Sequence, residues 1–234
     1  MTSSPVSVVV VSAGVSTPSS TTLLAQRIGQ SVVESLRVRD VAVELTFIDV
    51  RELGMDLTSA VLTAGRRSAA VERANTAVAQ ADAVIAATPV FAASYSGLFK
   101  SFFDVLDAEA LRGTPVLIAA TAGSQRHSLV LDHAMRPLFA YFGATVLATG
   151  VFAATADFGA ATPDAQALSE RIGRAAEELS RSVVLSPSPG PDADRLPARG
   201  ADDLSSAESL EAAGVLPDFG ALLPSVPRPA PVNR

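Results

Sequence analysis

The residues best suited to chemistry in this chain are hydroxyls. Ser19, Ser20, Thr21 and Thr22 stand in a row after the small-residue stretch Ser12-Ala13-Gly14-Val15-Ser16-Thr17-Pro18, and Thr121-Ala122-Gly123-Ser124-Gln125-Arg126-His127 is a second small, polar stretch. Hydroxyls and free backbone amides at a helix N-terminus hold a phosphate monoester without any cationic side chain. The same cluster also serves simply as a helix cap. A third stretch, Pro89-Val90-Phe91-Ala92-Ala93-Ser94-Tyr95-Ser96-Gly97, offers small side chains with two aromatics, so that a flat ligand can lie against the backbone. Other chemistries find little support. The chain has no cysteine and only two histidines, His127 and His133, which leaves neither a thiolate site nor a His-rich metal spacing. It carries no nucleophile elbow, no G-x-G-x-x-G and no G-x-x-x-x-G-K-[ST]. No catalytic side chain and no metal ligand set is therefore expected, and a bound cofactor that carries the chemistry is the better reading.

The three stretches gain meaning from the elements that precede them. Val6 to Val11 is a β-branched run, Val41 to Asp49 alternates, and Ala83 to Ala87 and Pro115 to Ala120 are short and apolar on both faces. Runs of that kind are parallel strands covered on both sides. Pro89 is expected to end the third of them. Thr145 to Phe152 reads as a fifth strand. Between them, Leu24, Ile28, Val32 and Leu36 mark a helix capped by Ser19 or Ser20, and a loop with Gly54 and Met55 leads to a helix from about Arg66 to Gln80. Leu98 to Leu106 is apolar around most of a helix, Ser128 to Phe142 is a helix opened or kinked at Pro137, and Thr162-Pro163-Asp164 opens a last helix that closes near Val183. Five strands alternating with five helices predict an α/β, flavodoxin-like three-layer sandwich with a five-stranded parallel sheet in the order 2-1-3-4-5. In that order the winding reverses between the first and third strands, and ligands bind beyond their carboxyl ends. The first two stretches meet there, and the one at Thr121 to His127 lies beside them.

With 234 residues, 48% hydrophobic and 18% charged, the chain can bury one full core. Residues 1–185 read as one domain. Nine of the 15 prolines fall in 186–234, a segment expected to be largely extended or disordered. Its apolar island Leu216 to Leu223 reads either as a docking segment or as a sticky patch in a loose tail. The net charge of −6 and the absence of a long basic stripe argue against nucleic acid as the main partner. No basic leader and no membrane span are seen at the start, so a soluble, cytoplasmic protein is expected. Phe99, Phe102 and Phe103 read as too many rings for one helix face, which predicts a subunit interface on that helix and a homodimer or homotetramer.

Three blocks carry a resemblance: Ser12 to Ala25 (SAGVSTPSSTTLLA), Thr88 to Asp104 (TPVFAASYSGLFKSFFD) and Thr121 to Pro137 (TAGSQRHSLVLDHAMRP). They resemble the three flavin loops of the NADPH-dependent FMN reductases, closest to the actinobacterial branch, over roughly residues 5 to 185. The resemblance implies that Ser12 and Ser19, Ser20, Thr21 and Thr22 hold the FMN phosphate. It implies further that Pro89, Val90, Phe91, Ala92, Ser94, Tyr95 and Ser96 line the isoalloxazine and ribityl, and that Thr121, Ala122, Gly123, Ser124 and His127 border the ring's other edge. Two positions depart from relatives: no basic residue lies between Ser12 and Thr22, and Phe91 stands where a tyrosine is common. The family implies hydride transfer from NADPH to FMN, with reduced flavin passed to a partner monooxygenase. An FMN-retaining reductase of quinones, azo dyes or metal oxyanions, or a flavodoxin-like electron carrier, are the alternatives. His127 either orients the flavin or bonds backbone at a helix start. Arg126 meets the 2′-phosphate of NADPH or is a solvated arginine, Lys100 sits near the site or solvates its turn, and Tyr95 covers the flavin or packs between subunits.

Overall fold

The computed structural model describes residues 4–63, 66–159 and 163–185. The expected cap Thr162 and the segment 186–234 with its apolar island lie outside the described residues. The sheet is built from β1 (Val6–Ser12), β2 (Val43–Asp49), β3 (Ala83–Phe91), β5 (Pro115–Ala122) and the short β6 (Thr145–Val146) and β7 (Val151–Ala154), with β4 (Ser94–Tyr95) returning on β3. The order is β2-β1-β3-β5-β6, with β7 also on β5. All pairs are parallel except the β3–β4 hairpin. This is the predicted 2-1-3-4-5 winding with its fifth position split. The split has a cause on the neighbouring helix. Between β6 and β7 the amides of Ala148 and Thr149 donate to the two carboxylate oxygens of Glu178, at 2.8 and 3.1 Å, so they are not available to the sheet. Burial raises the Glu178 carboxyl, but the Thr149 hydroxyl and the two amides outweigh it and hold the group below its ordinary value.

Helices cover both faces. α1 (Ser20–Arg37) and α6 (Pro163–Leu185) lie on one side; α2 (Gly54–Leu62), α3 (Ala69–Ala79), α4 (Gly97–Asp104) and α5 (Arg136–Tyr141) lie on the other. The valine run of β1 shows why the strands read as unbroken apolar stretches: Val8 and Val10 enter the α1–α6 core, Val9 and Val11 the opposite one, so every position is interior. α1 buries Leu24, Ile28, Val32 and Leu36, the stripe expected from spacing, and Ser19 is its cap.

Several expectations are corrected. β3 does not stop before Pro89 but continues to Phe91, with Pro89 aligned on Thr121 of β5. The amide of Ala13 donates to the carbonyl of Ala87 at 3.0 Å, so by strand alternation residue 89 turns its nitrogen toward the same side, where β1 has already ended at Ser12. The missing N–H of proline removes no ladder bond there. The loop expected around Gly54 is instead the helix α2. Phe99, Phe102 and Phe103 are all buried inside this one chain. Their i, i+3, i+4 spacing puts them on a single helix face, and Phe103 stacks against Phe99, Phe102 and Phe139 with ring centroids 4.8, 5.3 and 5.0 Å apart. They provide no ground for an interface. The region 128–142 opens as expected near Pro137: Leu131–Met135 is a π-turn, its widened bond running from the Arg136 amide to the Leu131 carbonyl, directly ahead of the proline.

Candidate functional site

β1, β3 and β5 end side by side, so the segments that leave them share one crevice. Its first wall is the turn from Ser12 into α1. Ser12 is buried, its Oγ 3.3 Å from Thr22 Oγ1. Ser19 accepts the Thr22 amide at 3.1 Å, which is the capping role. Ser20 is exposed at the first helical position, and Thr22 is half-buried. Gly14 makes this closure feasible: a Cβ there would lie 2.0 Å from Ser19 Oγ and 2.7 Å from Thr22 Oγ1. Thr21 turns inward, where its Oγ1 meets Thr121 Oγ1 at 2.7 Å. That bond ties the first segment to the third.

The second wall is the β3–β4 hairpin. Val90 pairs with Tyr95 and Phe91 with Ser94, leaving Ala92 and Ala93 as a two-residue turn with φ of 47° and 66°. Phe91 and Ala92 are exposed, whereas Pro89, Val90, Ser94 and Tyr95 are half-buried. Tyr95 rests on Phe99 of its own chain, centroids 5.8 Å apart. Ser96 is buried and takes no outward position: its amide donates to Thr88 Oγ1 at 3.0 Å and its Oγ accepts the Phe99 amide at 3.2 Å, capping α4. The third wall starts later than expected, because Thr121 and Ala122 still belong to β5. Gly123, Arg126 and His127 are exposed and Ser124 is half-buried. Lys100 pairs with Asp104 on the outer side of α4. There it lines a groove of about 350 Å³ with Phe103, Leu138, Tyr141 and Phe142, which touches none of the crevice residues named above.

Two contributors escaped the sequence reading. Arg51, in the turn after β2, donates from Nη1 to Thr17 Oγ1 of the first segment at 2.5 Å. Asp157, buried after β7, accepts the Ala154 amide and the Gln125 Nε2, both at 2.8 Å, and so anchors the third segment. An acid inside T-A-D-F-G hints at a turn cap, but nothing in the local sequence marks Arg51, since its reach depends on β2 lying beside β1. Among the described residues no cluster of His, Asp and Glu suits a metal, and no helix is long and apolar enough to cross a membrane.

A sequence model of the family described as NADPH-dependent FMN reductase matches residues 6–159. The chain is 43% identical to the NADH-dependent FMN reductase SfnF of Pseudomonas fluorescens, over 76% of this chain and 92% of that one. It is 41% identical to an FMN reductase (NADPH) of Pseudomonas aeruginosa, over 76% and 92%. Among solved structures, an oxidoreductase from Corynebacterium diphtheriae superposes with a TM-score of 0.75 at 48% identity, covering 78% of this chain and 99% of that one, in keeping with the actinobacterial branch. The apo form of an NADH:FMN oxidoreductase gives a TM-score of 0.63 at 29% identity, covering 86% and 100%. With the crevice built from the three blocks that carry the resemblance, these likenesses establish that the chain belongs to the NADPH-dependent FMN reductase family, as an NAD(P)H:FMN oxidoreductase of flavodoxin-like fold.

Proposed function

We propose that the crevice takes FMN with its phosphate on the first segment, its ribityl and ring along Pro89 to Ser96, and the ring's other edge at Thr121 to Ser124 and His127. The observation that carries this reading is the Thr21–Thr121 bond, which holds the hydroxyl-rich turn beside the end of β5 while β1 and β3 pair directly. The residues suit the group. Ser20 and Thr22 present hydroxyls at the N-terminus of α1, where first-turn amides lack intrahelical acceptors and the helix dipole favours an anion. Ser12, Thr21, Thr121 and Ser96 act on this view through the backbone and hydroxyls that they hold in place. FMN, when bound, accepts hydride from NAD(P)H and passes electrons on, so the protein's part is to bind, orient and exclude water. No side chain is assigned a proton to move.

The reduced flavin is proposed to leave for a partner flavin-dependent monooxygenase. The visible spectrum of freshly purified protein, followed by NADPH and NADH oxidation with and without added FMN, tests this. Oxidation that depends on added FMN is the expected result. A tightly bound yellow flavin whose turnover ignores added FMN, with quinones or other acceptors reduced directly, would instead establish the retaining reductase.

Residues 1–185 are proposed to be the whole catalytic domain, in a cytoplasmic setting that suits a cysteine-free chain. Truncation before Ser186 should leave NAD(P)H oxidation unchanged; a loss of solubility or rate would mean that Leu216 to Leu223 docks. A homodimer or homotetramer is part of the same reading, supported now by Met55 and Leu62 of α2 and Tyr141 of α5, at 84%, 79% and 73% exposure, all on the α2–α5 side. Sedimentation as a monomer at micromolar concentration rejects it.

A further inference from the structure

The first segment has no basic residue from Ser12 to Thr22, yet a phosphate monoester carries a charge of about −1.5 to −2 near neutral pH and a helix N-terminus answers with only about half a unit. The structure brings a cation to the segment from elsewhere. In the β1–β2 register Ser12 lies opposite Asp49, so the turn at Val50–Leu53 emerges beside the point where the first segment leaves the sheet. Asp49 caps that turn by accepting the Arg51 amide at 3.0 Å. It also stands 3.6 Å from the Arg51 guanidinium, through Oδ2 and Nη2. With its backbone so fixed, Arg51 extends Nη1 to Thr17 Oγ1. Its side chain is 42% exposed, and a guanidinium has more donors than these two contacts use.

We propose that Arg51 is a phosphate-binding residue: its guanidinium, held over the first segment by Thr17, donates to a phosphate monoester seated at the start of α1. The geometry assigns two duties to one side chain. Thr17 parks the cation over the segment, and Asp49 keeps it from swinging away, which reduces the ordering that binding would otherwise require. The monoester can come from the flavin 5′-phosphate or from the 2′-phosphate of NADPH. The flavin is the source favoured here, because Thr17 is separated from the α1 cap Ser19 only by Pro18. The inference rests on the reading of the first segment as the phosphate site.

The test measures FMN and riboflavin dissociation constants by fluorescence quenching for wild type, R51A, R51K and T17V, with Michaelis constants for NADPH and NADH alongside. R51A should weaken FMN by at least about tenfold, as expected for loss of a charge-assisted hydrogen bond, and should flatten the salt dependence of binding while riboflavin is unmoved. R51K should recover part of the loss, and T17V should preserve the difference between the two flavins. Equal changes for FMN and riboflavin, or a T17V loss that matches R51A, would overturn the proposal in favour of simple loop packing. A rise in the NADPH constant alone would overturn the assignment to the flavin phosphate. If Ser20→Ala with Thr22→Ala weakens FMN selectively and R51A does not, the phosphate site stands and Arg51 falls; if neither variant does, both readings fall.

Discussion

The first and second crevice segments draw on the same small residues and use them in opposite ways. In the first, Ser19 gives its oxygen to the Thr22 amide and Thr21 bonds Thr121, yet Ser20 stays exposed and Thr22 makes only a long contact of 3.3 Å. In the second, Thr88 and Ser96 are both buried and bonded: Thr88 accepts the Ser96 amide at 3.0 Å and donates to the Pro89 carbonyl at 3.0 Å, while Ser96 caps α4, and among its serines and threonines only Ser94, beside the turn, is half-buried. The backbones differ too. Ala92 and Ala93 both have positive φ, in a two-residue hairpin turn where Asn and Gly are the usual occupants, and each left-handed alanine costs about 1–2 kcal/mol. One segment keeps some hydroxyls available on a chain without positive φ; the other ties Thr88 and Ser96 down beside a turn that has two such residues. Counting hydroxyls therefore cannot identify a ligand loop, whereas asking which of them are already bonded can.

The largest expected effect tests the available side. Replacing Ser20 and Thr22 by alanine leaves intact the cap formed by Ser19 and the Thr22 backbone amide, so stability should fall only through loss of the 3.3 Å contact to the buried Ser12 hydroxyl, by about 1 kcal/mol. FMN affinity should fall by at least about tenfold, from hydrogen bonds to a charged group worth about 1.5–3 kcal/mol each. Riboflavin, lacking the phosphate, should bind as before. Equal losses for the two flavins would erase the distinction between the segments. On the locked side, Ser96→Ala removes a helix cap and should cost about 1 kcal/mol in denaturant unfolding, with FMN and riboflavin affected alike; a loss confined to FMN would mean that Ser96 touches the phosphate after all. Ala93→Gly relieves one strained position and should raise stability by up to about 1 kcal/mol. If activity drops as stability rises, the strained turn is part of the site. The smallest effect lies outside both segments, at Glu178. Its folded pKa is depressed, so its contribution is present above the ordinary glutamate value of about 4.3 and is lost as pH falls through the folded value. Glu178→Gln should flatten that acid limb in thermal melts at fixed pH and leave FMN affinity unchanged.

Much of the fold was legible because interior parallel strands must be apolar at every position, and the runs Val8 to Val11, Ala83 to Ala87 and Pro115 to Ala120 are so. The α1 stripe was legible for the same kind of reason. Pro89 misleads because a proline's cost depends on whether a neighbour faces its nitrogen, and that depends on where β1 stops. The three phenylalanines of α4 mislead only when rings are counted without their angles, since positions 99, 102 and 103 fall within one face. α2 begins at Gly54, a poor helix former, and tertiary packing of Leu57 and Ala60 decides the matter. At the crevice, the hydroxyl row was visible, but its division into bonded and available members was not. Arg51 and Asp157 arrive from strands distant in sequence, and only the sheet order puts them there.

The hairpin on β3 has one more consequence, for the kind of molecule the crevice can receive. A strand that outruns its neighbour normally leaves an unpaired row of donors and acceptors that recruits another extended chain. Here the protruding end of β3 offers nothing of the sort toward β1: Pro89 has no N–H, and Phe91 turns back to pair with Ser94. An extended peptide cannot add itself to this border as a new strand. The crevice is left to compact ligands that are gripped by side chains and helix-end amides, and neighbouring copies cannot zip together through it.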